Sequence, residues 1–97
     1  MNVKIQSVKL DADKKLSDFI NAKLEKFERF SDKVTNADVT LKLDKDVEKG
    51  NKVVVISLEM PGDNLVAERK SKSFEESVDL CIDALKKQLE RYKEKHV

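Results

Sequence analysis

The apolar positions of the chain repeat with two different periods, and the changes between them mark out its elements. The longest helical repeat runs from Ser73 to Lys95. There Phe74, Val78, Cys81, Ile82, Leu85, Leu89 and Tyr92 recur in steps of three and four and share one stripe. Ser73 stands at the N-cap position, and Glu76 three residues on predicts a capping box. A shorter repeat, Leu16, Phe19, Ile20, Leu24 and Phe27, follows an N-cap at Asp13 and predicts a first helix ending near Phe30 and Ser31. Between the helices the period drops to two. Ala37, Val39, Leu41 and Leu43 alternate with Asp38, Thr40, Lys42 and Asp44, the pattern of a strand with one wet face. Val53 to Met60 follows as a β-prone stretch, with Val54, Ile56, Leu58 and Met60 inward and Val53 and Val55 on the outer face. Ahead of the first helix, Val3, Ile5, Val8 and Leu10 alternate imperfectly, which predicts a strand bulged near Ser7.

Turn chemistry fixes the connections. Lys45-Asp46-Val47-Glu48-Lys49-Gly50-Asn51 is polar and ends in Gly-Asn, as the loop at a hairpin tip does. Pro61-Gly62-Asp63-Asn64 is a strong turn signal, and Leu65 to Ser71 then reads as a less apolar edge strand. The order is β-α-β-β-β-α. Such elements bury their apolar faces best as an α+β fold, with both helices on one face of a four-stranded mixed sheet. Strands one and two are parallel if adjacent, and the other connections are hairpins. Residues 1–97 read as one domain.

Net charge says little, because +1 is the remainder of 20 basic and 19 acidic residues. Arrangement says more. In the last helix Glu75, Glu76, Asp79 and Asp83 fill the first half, while Lys86, Lys87, Arg91, Lys93 and Lys95 crowd the second. Lys87, Arg91 and Lys95 fall on one line away from the apolar stripe. The first helix carries Lys15, Lys26 and Arg29 on a line of its own, with Lys23 at the edge of its apolar stripe. One account is plain helix chemistry, in which acid at the start and base at the end complement the macrodipole. The other is a phosphate-binding surface, which two basic lines and the nearby Arg69, Lys70 and Lys72 favour. The four Phe residues and Tyr92 all sit at or near core positions, so folded RNA read by shape and phosphate fits better than stacking on single strands.

Chemistry beyond binding finds few residues to carry it. One Cys and one His, the latter at the terminal His96, make no metal ligand set, and Cys81 reads as a buried small hydrophobe. The two glycines, Gly50 and Gly62, form no phosphate loop. No catalytic carboxylate pair stands out from the salt-bridged helix faces, so the chain reads as a non-enzyme without cofactor or small-molecule substrate. No apolar run reaches the roughly 18 residues of a membrane span, the first residues lack a signal-peptide core, and a lone cysteine suits the cytoplasm.

Two stretches carry a resemblance over nearly the whole chain. They are Leu16-Ser17-Asp18-Phe19-Ile20-Asn21-Ala22-Lys23-Leu24-Glu25-Lys26-Phe27 and Val78-Asp79-Leu80-Cys81-Ile82-Asp83-Ala84-Leu85-Lys86-Lys87-Gln88-Leu89. Together they resemble the helices of the short-form ribosome hibernation promoting factors, also called ribosome-associated inhibitor proteins. The resemblance implies a fold like a double-stranded-RNA-binding domain with an added first strand. It also implies binding to 16S rRNA in the decoding channel of the small ribosomal subunit, which blocks mRNA and tRNA sites and silences idle ribosomes. Lys23 and Lys26 match the family's first-helix lysines, Lys87 its usual Arg, and Arg91 and Lys93 the basic positions that follow. With the neighbouring charges, the candidate rRNA-binding set is Lys23, Lys26, Arg29, Lys86, Lys87, Arg91, Lys93 and Lys95. The family commonly has Lys where this chain has Ala84, and Asp-Met-Tyr where it has Lys72-Ser73-Phe74. Ending at Val97, the chain is expected to lack the added dimerisation domain of long-form relatives and to be monomeric off the ribosome. A reading from another class is a protein-interaction module that uses the outer sheet face or an exposed edge. Val53 and Val55 would then be its apolar contacts.

Overall fold

The computed structural model describes residues 1–45, 48 and 50–95. In chain order the elements are β1 (Asn2–Ser7), α1 (Lys14–Phe27) with a 3₁₀ turn at Glu28–Phe30, β2 (Asn36–Leu43), β3 (Lys52–Met60), β4 (Asp63–Ser71) and α2 (Phe74–Lys95). The sheet runs β1-β2-β3-β4, with β1 parallel to β2 and the other two pairs antiparallel. The edges are therefore β1 and β4, as the low apolarity of β4 predicts. Ala37, Val39, Leu41, Val54, Ile56, Leu58, Leu65 and Ala67 form one core with Ile20, Leu24 and Phe27 of α1 and the stripe of α2. Both helices thus cover one face, and α2 lies against β3 and β4 with α1 beside it.

Both helix starts are capped by side chains. Asp13 Oδ1 accepts the Leu16 N–H at 2.8 Å, and Ser73 Oγ accepts the Glu76 N–H at 3.1 Å. The second box is only half of what its sequence predicts, because the Ser73 N–H turns to Ser71 Oγ at 3.4 Å instead of Glu76. That detour belongs to a buried polar cluster without a hydrophobic signature. Ser77 is fully buried within the apolar stripe, and its hydroxyl donates to Lys52 O at 2.6 Å. Its single proton so used, Ser77 Oγ lies 2.7 Å from Ser71 Oγ, which can donate there or to Ser73 O at 2.8 Å. Gly50 presses on the same place. A Cβ on it would stand 2.4 Å from Ser71 C and 2.5 Å from Ser71 O, and its φ of +106° already favours glycine.

Three other details depart from the pattern. The first strand does not bulge: it ends at Ser7, and Lys9, at φ 57°, turns the chain so that Val8 is left exposed. Leu43 is exposed although its alternation predicts burial, because it pairs with Lys52 where the sheet ends. Val53 does lie on the outer face but is only 6% exposed. Its neighbours in register are Lys42 and Lys70, whose ammonium groups reach Glu68 at 3.7 Å and Asp44 at 3.0 Å, so their aliphatic stems can cover it. The polar stretch at the β2–β3 tip does connect the two strands, with Asp44 N–H bonded to Asn51 O at 2.9 Å. Asp46, Val47 and Lys49 of that loop, and the terminal His96, lie outside the described residues. The Pro61-Gly62 turn closes the β3–β4 hairpin between Met60 and Asp63, with Gly62 at the φ of +76° that a type II turn demands of its third residue.

This packing separates core from surface on α2. Leu85 is fully buried and Lys87 exposed, so Leu85→Ala is expected to cost about 2–5 kcal/mol and Lys87→Ala less than about 0.5 kcal/mol in melts. Gly50→Ala combines a backbone clash with a disfavoured φ and is expected to cost more than about 1 kcal/mol by the same measurement. Burial pushes the Cys81 thiol up from 9.0 to about 11. The native thiol should therefore resist alkylation at pH 8 until denaturant unfolds the chain. Because the folded state holds this proton more tightly, the associated stability is complete below about pH 9 and is lost as pH rises towards 11.

Candidate nucleic-acid interface

The charged face is built by α2 and what lies on either side of it. On the α1 side, a depression of about 340 Å³ is lined by Lys23, Lys26, Phe27, Phe30, Asp79, Ile82, Asp83 and Lys86. On the β4 side, one of about 430 Å³ is lined by Arg69, Leu80, Asp83, Ala84, Lys87, Gln88 and Arg91. The eight sequence candidates do not form one patch. Lys23, Lys26 and Lys86 share the first depression, Lys87 and Arg91 share the second, and only the width of α2 separates them.

They also differ in what already holds them. Lys23 Nζ lies 3.0 Å from Asp79 Oδ1, an ion pair joining α1 to α2, and 5.3 Å from the Phe19 ring centre. Lys86 Nζ sits 4.8 Å over the Phe30 ring, and Lys93 Nζ donates to Phe30 O. By contrast Lys26, Arg29, Lys87, Arg91 and Lys95 are exposed and make no side-chain hydrogen bond or ion pair with a described residue. Lys23 joins α1 to α2 through Asp79, Lys93 ties α2 to the turn after α1, and Lys86 is held only by a ring, while the five open cations are available to an anion outright.

Of the basic residues in β4, register admits one. Arg69 pairs with Val54 and so lies on the helix-bearing face, at the rim of the second depression. Lys70 pairs with Val53, points to the other face and bonds Asp44 at 3.0 Å, which with the Lys45 N–H holds the Asp44 carboxyl below its usual range. Phe30 is the feature the helical spacing hid. Its spacing places it at or near a core position, yet it is 48% exposed, because it lies in the 3₁₀ turn just past the apolar stripe of α1. Its position after the last regular repeat, Phe27, was the available signal.

Other chemistry is sparse here. Among the described residues no group of three or more His, Cys, Asp or Glu could hold a metal ion, and no helix is long and apolar enough to cross a membrane. The outer sheet face, the site of the interaction-module reading, has its Val53 covered and exposes mainly Val66 among large apolar side chains.

Comparison with known proteins agrees with this architecture. The chain is 33% identical over 95 residues to the ribosome hibernation promoting factor of Pseudomonas putida KT2440, spanning 98% of this chain and 89% of that protein. The fold matches a ribosomal subunit interface protein from Coxiella burnetii with a TM-score of 0.86 at 24% identity, over 96% of this chain and 98% of the other. It matches the Protein Y N-terminal domain of Thermus thermophilus with a TM-score of 0.81 at 25% identity, over 95% and 99% of the two chains. The family described as Sigma 54 modulation protein / S30EA ribosomal protein matches residues 3–97, and this chain belongs to it.

Proposed function

We propose that this protein silences ribosomes by occupancy, binding 16S rRNA in the decoding channel of the small subunit and excluding mRNA and tRNA. The relative from Pseudomonas putida carries the name of a ribosome hibernation promoting factor, which makes the ribosome the first partner to test. The observation that carries the reading is the set of open cations, Lys26, Arg29, Lys87, Arg91 and Lys95, carried by two adjoining helices and the 3₁₀ turn that ends the first, with no internal partner among the described residues. Helices side by side on a rigid sheet present these charges at fixed separations, as recognition of a folded RNA by phosphate and shape requires. Arg69 extends the surface past α2 onto the edge strand. The protein acts in the cytoplasm as a monomer, without cofactor, small-molecule substrate or catalysis.

The test is co-sedimentation with purified 30S subunits across a salt series. Each phosphate neutralised contributes about 0.7–0.9 to the slope of log affinity against log salt. Lys87→Gln with Arg91→Gln should flatten that slope by up to about two units and leave the melting temperature unchanged. Lys4→Gln with Lys45→Gln, on the outer sheet face and the hairpin, should change it far less. A wild-type protein that fails to pellet with 30S subunits at low salt would sink the reading. Equal small effects from both pairs would return the lysines to plain helix solvation.

A further inference from the structure

Among the described residues, Phe30 is the only aromatic ring in the set of large apolar side chains that stay exposed. Two contacts hold it in place. Its ring stands 6.1 Å from that of buried Phe27, at an interplanar angle of 50°, and its carbonyl accepts a hydrogen bond from Lys93. The 3₁₀ turn that carries it continues directly from α1. Phe30 and Lys86 line both the depression between the helices and a second one of about 150 Å³ beside Leu89, Glu90 and Lys93. The ring therefore stands at the junction of two open spaces.

What covers the ring identifies what would replace the cover. The Lys86 ammonium lies 4.8 Å over it, at the end of a flexible four-carbon stem. An exposed cation–π contact is weaker than a base stacked on an aromatic face. A nucleobase can therefore take the face while the ammonium swings to a phosphate beside it. Lys26 stands nearby for one flanking phosphate, and Lys93 can serve another with a proton that its bond to Phe30 O leaves unused. The carboxylates there are Asp79, already matched by Lys23, together with Asp83 and Glu90. An acidic peptide would gain the charges but waste the flat ring; an RNA strand with one base out of its stack uses both.

We infer that Phe30 is a stacking platform for an unpaired base of the bound RNA, with Lys86 as its displaceable cover. This rests on the proposed RNA-binding function and adds base contact to a surface otherwise built for phosphates.

The chain has no tryptophan, so Phe30→Trp creates a single reporter at the platform. On titration with purified 30S subunits its emission should be quenched, as an indole stacked on a base is, with affinity kept within a few-fold of wild type. Phe30→Leu, which keeps apolar bulk but no flat face, should weaken binding about 5- to 150-fold. Its salt slope should stay at the wild-type value, because no phosphate contact is lost. Lys26→Gln should instead lower the slope. Thermal melts of each variant confirm folding, and should Phe30→Leu not fold, the tryptophan signal decides. Wild-type affinity in Phe30→Leu, or unquenched emission from Phe30→Trp bound to 30S, overturns the platform alone. If the wild-type protein does not bind 30S, the RNA-binding reading falls and the platform falls with it.

Discussion

The seating of α2 on β3 and β4 is the constraint on which the other features depend, and it is stitched as well as greasy. Along the helix, side chains donate to backbone carbonyls of the sheet and its turn. Ser77 reaches Lys52 O at 2.6 Å, Cys81 Val54 O at 3.3 Å, Gln88 Val66 O at 2.8 Å and Tyr92 Pro61 O at 2.8 Å. An apolar stripe alone tolerates sliding and rotation, since burial has no direction. Four donors spread from the start of the helix to its end do not, because each must meet a carbonyl within hydrogen-bond reach. Small Ser77 and Cys81 also let the first half of α2 approach the sheet closely, and Gly50 admits the hairpin backbone beside Ser71. Gln88 also occupies a carbonyl of β4, an edge strand, which makes that edge less available for pairing.

Fixing the rotation of α2 fixes the aim of its charges. With Leu85 and Leu89 inward, Lys86 is turned towards α1 and Phe30, while Lys87 and Arg91 are turned towards β4 and Arg69. Two neighbouring residues, Lys86 and Lys87, thus serve different depressions. The Lys23–Asp79 pair across the helices adds little stability, since its partners are 36% and 50% exposed, but it marks where α1 meets α2. Ala84 lies in the second depression between Leu80 and Gln88, so a lysine at that position would have added a charge beside Lys87.

Elements whose signal is a long period were legible in the sequence. α2 and α1, their N-caps at Ser73 and Asp13, the two hairpins and the mixed sheet all follow from periodicity and turn chemistry. What escaped depends on neighbours distant in the chain. Ser77 is polar within an apolar stripe, and only the approach of Lys52 O makes its burial favourable. Val53 is apolar on a wet face yet nearly buried, and its register neighbours Lys42 and Lys70 are long enough to lie over it. Val8 falls out of step with Val3 and Ile5, and the strand ends at Ser7 without a bulge to seat it. At the site, the basic residues could be named from their spacing, but not which of them were already engaged. That division rests on Asp79 and on the Phe30 ring, both brought in by the packing of the two helices.

The same division bears on how a surface of this kind would respond to salt. A lysine that brings its own carboxylate to the RNA, as Lys23 brings Asp79, replaces little net charge, whereas Lys26 or Arg91 can neutralise a phosphate outright. Under the proposed function, the steepness of salt dependence would report the open cations, and Lys23 would act mainly by holding α1 against α2. Lys86 stands between these cases, since its partner is a ring and not a charge, so it keeps its full positive charge for an incoming strand. Exchange of that partner costs one weak contact and exposes a flat apolar face at the moment a phosphate arrives. Electrostatic capture and base stacking would then be successive uses of one lysine and one phenylalanine, placed together because α1 ends where α2 is half complete.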